Sequence, residues 1–184
     1  MTLSRLTLLK GMTIVTLFFT CTAGCTHRIH VVPTPPIVSP VTIAQSLRVQ
    51  VPFLAVEGAD HMPGITLLDW PAKDLQTAIV EYIQQRQTFS SVDSDEGTWT
   101  MVVKTWLWMR SRAEYRYTVR LEAELGPTGK QPIKSYLIQK EAAGSRVRWT
   151  TTSDQDPIAE AVQRALDDLL LQIEEDAGLL AGKT

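Results

Sequence analysis

Disulfides, metal clusters and nucleic-acid grooves all lack raw material in this chain. Of 184 residues only Cys21 and Cys25 are cysteine, far below the density of a disulfide scaffold. Histidine is nearly as scarce, with His27, His30 and His61. Because His27 and His30 lie in a proline-rich stretch, a rigid three-imidazole metal site is not expected. Basic and acidic side chains number 18 and 20, a net charge of −2, so the cation surplus that holds nucleic-acid phosphates is missing. What is present is apolar mass. At 44% apolar and 21% charged, the chain has enough to bury a core and reads as one globular domain rather than a disordered chain.

Residues 1–24 stand apart. Arg5 and Lys10 precede an apolar stretch from Met12 to Cys21, and small residues follow in Thr22-Ala23-Gly24-Cys25, the three-part layout of a secretory signal. Crossing a bilayer takes about 20 apolar residues, and this stretch is about half that length. Thr13, Thr16 and Thr20 also interrupt it. An export signal is therefore expected, not a permanent span.

Thr22-Ala23-Gly24-Cys25 resembles the lipobox of bacterial lipoproteins, with Thr22 where that family usually places Leu. The resemblance implies that the signal is cut before Cys25 and that the Cys25 thiol carries diacylglycerol. Cys21 would leave with the signal, so the exported chain could form no internal disulfide, and losing Arg5 and Lys10 would make it more acidic. Thr26, rather than Asp, follows the cysteine, which by the same resemblance implies the periplasmic side of the outer membrane. Acyl chains at about 0.8 kcal/mol per buried methylene would hold the protein on the bilayer without a spanning helix.

Residues 25–46 read as the lipidated amino terminus and a tether. Pro33, Pro35, Pro36 and Pro40 fix φ and favour extended geometry at about 3.1 Å per residue, enough to hold a domain well away from the lipid. Residues 47–178 read as a single α+β domain and 179–184 as a tail. From Leu47 to Val56, Leu47, Val49, Val51 and Phe53 alternate against Arg48, Gln50 and Pro52, a strand in which Pro52 predicts an edge or a bulge. A helix opening near Asp69 and Pro71 carries Leu75, Ala78, Ile79, Tyr82 and Ile83 on one stripe, with Gln76, Glu81, Gln84, Gln85 and Arg86 expected in water. Residues 88–92 suggest a short strand and 93–97 a turn.

Thr98 to Met109 predicts a long central strand, because both of its faces are apolar. Tyr115 to Leu125 alternates strictly and should have one wet face. Gly126 to Lys130 supplies a hairpin turn into Pro132 to Ala142, and 147–151 suggest one more short strand. In the last helix Asp156 is expected to cap, Pro157 to take the first turn, and Gly178 to terminate. Its stripe is Ile158, Ala161, Val162, Ala165, Leu166, Leu169, Leu170 and Ile173, with Glu174 among the residues on the wet side. The resulting order, β-α-β-β-β-α, predicts a mostly antiparallel sheet with two amphipathic helices on one face, and a right-handed crossover if the first strand and the long strand are parallel neighbours.

No catalytic constellation emerges. Ser90, Ser91, Ser94 and Ser153 lack a nucleophile-elbow context, Asp93, Asp95 and Glu96 lack the spacing of a calcium loop, and Gly126 to Lys130 lacks the Walker pattern. No cofactor and no enzyme activity are expected. Trp106 and Trp108 share one strand face with Lys104, and Arg110 and Arg112 follow. If the helices cover the opposite face, these residues form an exposed aromatic and basic patch suited to a protein partner or lipid headgroups. Otherwise the rings are core, and Trp99 and Met101 lie outside.

The lipobox, Pro-rich segment, strand, helix, antiparallel strands and carboxy-terminal amphipathic helix together resemble the small envelope lipoproteins of the YajG type. More loosely they resemble the auxiliary lipoproteins of ABC-type lipid transport systems. The first resemblance implies no activity; the second implies an outer-membrane component that acts through protein contacts. The expected function is thus a non-enzymatic, partner-binding accessory held to the membrane by acyl chains on Cys25, with an envelope protein and no nucleic acid as partner. The alternative is a carrier with a cavity for lipid or a small apolar ligand between helices and sheet. Oligomeric state is not legible.

Overall fold

In the computed structural model, residues 26–58, 67–111, 114–144 and 152–181 are described. The elements are β1 (Thr26–Arg28), β2 (Ile43–Gly58), β3 (Leu67–Asp69), α1 (Ala72–Arg86), β4 (Phe89–Asp93), β5 (Trp99–Ser111), β6 (Tyr115–Pro127), β7 (Lys134–Ala143), α2 (Thr152–Glu175) and α3 (Ala177–Ala181). Five strands form one sheet in the order β4-β2-β5-β6-β7. The long β5–β6 and β6–β7 ladders are antiparallel, and β2 runs parallel to both β4 and β5. This is the α+β architecture expected, with β5 in the middle. The suggested strand at 147–151 lies outside the described residues.

Alternation decides what each strand buries. Leu47, Val49 and Val51 of β2, Trp99 to Met109 at every second residue of β5, and Tyr117 to Leu125 at every second residue of β6 are buried, as are Tyr136, Ile138 and Ala142 of β7. Against this face α1 lies on β2 and β4, and α2 on β6 and β7. The apolar stripes of both helices are buried as their spacing predicts. At about 25 cal/mol per Å² of apolar surface, this shared core is the main stabilising term.

Pro52 satisfies both expectations attached to it. The β2–β5 register shifts between Gln50 and Phe53, a bulge, and β4 pairs with β2 only as far as Arg48, so the other side of β2 is an open edge at Pro52. The bulge has a consequence for Phe53. It was expected on the buried side with Val51, but the shift turns it to the opposite face, where it is 44% exposed.

Between β4 and β5 the chain passes close to β2. A Cβ on Gly97 would stand 2.3 Å from the Arg48 nitrogen, so only glycine fits there. The β6–β7 turn has Gly129 at φ 78°, as the hairpin reading required.

Four expectations are corrected. The domain begins well before residue 47: β2 starts at Ile43, and the segment read as a free tether is docked, with Ile29 and Val31 in the core and Pro33 buried beside them. Their alternation with exposed His30, Val32 and Thr34 is that of an extended strap laid on apolar surface. α2 starts at Thr152, before Asp156, and includes Pro157. Gly178 does not end the last helix; α2 stops at Glu175, and Gly178 sits in α3, which returns Leu180 to the core, so the residues read as a tail contribute to packing. Arg86 and Glu174, expected in water, are buried.

Candidate functional site

Because helices cover one face of the sheet, the opposite face is the one that carries Lys104, Trp106, Trp108 and Arg110. Among the described residues no element lies over it. The register sets its layout in rows across four strands. Phe53, Lys104, Glu122 and Leu137 make one row; Ala55, Trp106, Arg120 and Gln139 the next; Glu57, Trp108, Thr118 and Glu141 a third. Such cross-strand neighbours interact directly.

Trp106 is the hub. Its ring centroid lies 5.2 Å from that of Phe53, tilted by 53°, and the Arg120 guanidinium carbon stands 5.3 Å from the Trp106 ring. Arg120 also pairs with Glu122 through Nη2, which holds the guanidinium in place, while its Nε has no acceptor among the described residues. Trp108 donates from Nε1 to Glu57 Oε2 at 3.0 Å, and Lys104 approaches Glu124 at 3.7 Å. With Leu137 at 62% exposed, the centre of the face is apolar and aromatic, ringed by charges of both signs. Arg110, opposite Arg116, is exposed at the far end of β5, whereas Arg112 and the lipobox residues Thr22, Ala23, Gly24 and Cys25 lie outside the described residues. The alternative in which the tryptophan rings form the core is therefore corrected. Phe53 and Leu137 were missed, Phe53 because its exposure depends on the bulge at Pro52.

The second cluster was not legible as a site. Arg86, at the end of α1, donates from Nε to Glu174 Oε1 at 2.8 Å and from Nη1 to Asp167 Oδ1 at 3.1 Å. Thr88 Oγ1 also donates to Glu174, and the Tyr82 hydroxyl donates to Asp167 at 2.5 Å. Burial would push Glu174 up, but the hydrogen bonds from Arg86, Ser39 and Thr88 and the Arg86 charge outweigh it and hold the carboxyl below its ordinary range. Burial and Asp167 raise the Tyr82 hydroxyl well above its ordinary value. Among the described residues every member has a partner, so the cluster locks α1 to α2. The spacing did hold a signal: Arg86 is three residues past Ile83 and four past Tyr82, and Glu174 is four past Leu170, so both sit on apolar stripes.

Among the described residues no group of three or more His, Cys, Asp or Glu side chains could hold a metal. Asp93 is drawn down by backbone N–H groups, that of Asp95 at 2.7 Å foremost, as a turn residue. Two open hollows flank β4. One, of about 490 Å³, is lined by Ser46, Ser91, Asp93, Glu96 and Thr98, and the other, of about 320 Å³, by Thr42, Gln84, Gln87 and Phe89. Both open at the β4 edge of the sheet, the second where Gln84 of α1 adjoins β4. No helix of the described residues is long and apolar enough to cross a membrane.

No family profile and no curated protein matches the chain. Solved structures do share its fold. A Xanthomonas campestris protein described under the family name DUF330 aligns over 86% of this chain and 99% of its own at 14% identity, with a TM-score of 0.52. An uncharacterized protein aligns over 80% of this chain and 99% of its own at 13% identity and TM-score 0.50. A minor lipoprotein from Acinetobacter baumannii aligns over 67% of this chain and 88% of its own at 13% identity, with a TM-score of 0.35. For the first two, at these identities, the likeness is one of fold alone.

Proposed function

We propose that the chain is a non-enzymatic envelope lipoprotein, acylated at Cys25 and facing the periplasm from the outer membrane. Its uncovered sheet face docks a protein partner of an envelope assembly or transport system. The observation that carries this reading is the Phe53–Trp106–Arg120 arrangement on the sheet face that no described element covers. A rigid aromatic centre with an arginine stacked on it and a charged rim is the make-up of a protein-binding hot spot. The partner that fits is a protein presenting an apolar ridge flanked by hydrogen-bond acceptors for Lys104, Arg110 and Arg120. The lipobox supports the anchor, and the buried cluster, whose groups pair with one another, supports an accessory role over catalysis.

Two measurements test it. Mass spectrometry of the native mature chain should find Cys25 first and acylated; a mature chain beginning elsewhere contradicts the anchor. Trp106→Ala with Phe53→Ser should release a crosslinked envelope partner while the protein stays folded and membrane-bound. Undiminished recovery of that partner contradicts the docking face.

A further inference from the structure

The strap changes how far the domain can stand from its anchor. It enters as β1, paired with β3 through Thr26, His27 and Arg28, and Ile29 N–H donates to Asp69 O at 2.7 Å. Arg28 clamps it to the first turn of α1 with two hydrogen bonds to Asp74, at 2.8 and 2.9 Å. It leaves at the last turn of α1, where Ser39 N–H donates to Arg86 O at 2.7 Å. The strap therefore runs the length of α1 in the same direction as the helix, with Ile29 and Val31 buried at 0% and 4% exposure. Gln76 bonds Val49 and the far end of α1 adjoins Ile43, so α1 runs against β2, and Thr26 lies toward the carboxy-terminal end of β2.

We propose that the docked strap holds Cys25 against the body of the domain, so that the end formed by β1, β3 and the first turn of α1 rests on the lipid headgroups. The occupant of this surface is the bilayer itself, because the acylated residue is one peptide bond from β1. Asp74 is reached only three residues after Cys25, about 10 Å at 3.3 Å per residue. Freed, residues 26–42 would instead span about 50 Å as extended chain. The surface around the anchor carries the exposed cations Arg28 and Lys73 with the carboxylates Asp69 and Asp74, and His30 lies beside them. Among the described residues beside the anchor these charges balance, a mixture that suits zwitterionic headgroups.

The inference takes from the proposed function only that Cys25 carries the lipid, and its test supplies that link chemically. The chain from Cys25 is coupled through its single thiol to a maleimide phosphatidylethanolamine in vesicles of phosphatidylethanolamine and phosphatidylcholine. A fluorescent amino acid replaces Lys73 or, at the opposite sheet end, Lys130, and energy transfer to a headgroup acceptor is read. Transfer from position 73 should exceed that from 130 at least twofold. Ile29→Asp with Val31→Asp should lower it at least twofold, and the milder Arg28→Ala should lower it less, with the core verified by circular dichroism. Equal transfer from the two positions, or transfer from 73 unchanged by the strap variants, overturns the inference. The mass of the native amino terminus separately decides the lipidation reading.

Discussion

The two faces of the five-stranded sheet come from the same strands, yet one is closed three ways and the other is open. On the inner face α1, α2 and the strap meet over alternating apolar residues, and among the described residues the charged groups buried there, Arg86 and Glu174, are paired while the Thr105 hydroxyl has no partner. On the outer face the same β5 presents Trp106 and Trp108 partly buried, and β7 presents Leu137 to solvent. An antiparallel sheet commonly wets one face, but a wet face is ordinarily polar. The difference teaches that the inner face specifies the fold and the outer face is free to carry apolar groups for another purpose.

The division can be broken hardest at its inner lock. Glu174→Ala leaves buried Arg86 with Asp167 as its one remaining carboxylate partner and should cost about 3 kcal/mol in denaturant unfolding. Combining Arg86→Met with Glu174→Leu should recover most of that. If the single and double variants lose the same amount, the pair is not the lock. On the same face Leu107→Ala, at 0% exposure, should lower stability by about 2–5 kcal/mol through the cavity it leaves.

Acid sharpens the comparison further. Despite its burial Glu174 is held below its ordinary value of 4.5, by Arg86 first, and Asp176 is held below its ordinary 3.8, by Lys134 first and then the Tyr136 hydroxyl. Their contribution is present above the ordinary carboxylate range and is lost as pH falls through the lowered folded-state values. Thermal stability should therefore drop on acidification below about pH 4.5, and Glu174→Gln should flatten that limb. An unchanged acid limb in the variant would remove Glu174 from the account.

Smaller effects separate the faces. Thr105 is fully buried in β5 with a hydroxyl that has no hydrogen-bond partner among the described residues, so Thr105→Val should stabilise by about 1 kcal/mol. A loss would mean the hydroxyl is used. Outside, Trp106→Ala should cost about 1 kcal/mol, from its ring and cation contacts, despite removing the largest side chain of the face. A loss as large as that of Leu107→Ala would mean that Trp106 supports the fold.

Much of this was legible from alternation and helical spacing, because a residue that must be apolar every second or every third and fourth position repeats its message. The stripes of α1 and α2, the central β5 and the wet face of β6 all carry such repeats. Single departures do not repeat. Arg86 and Glu174 each appear once at the end of a stripe, and a lone charge reads as solvent-facing until its partner, 88 residues away, is placed beside it. Phe53 followed the alternation until the bulge at Pro52 reversed it. The strap was hidden because its prolines advertise extension, which a docked strap and a free tether share, and its burial rests on only three alternating residues. Of the outer face, the residues on β5 were legible and the choice between the faces was not, since both are apolar.

The claim at the centre, that the open face is the working surface, is tested most directly by site-specific photocrosslinking in intact cells. A crosslinking amino acid is placed at Trp106 and, in a second strain, at Leu171, which is 45% exposed on the helix side. The account predicts one discrete adduct with an envelope protein from position 106, none from 171, and loss of the adduct when Phe53→Ser is added. A discrete adduct from 171 with none from 106 would contradict it.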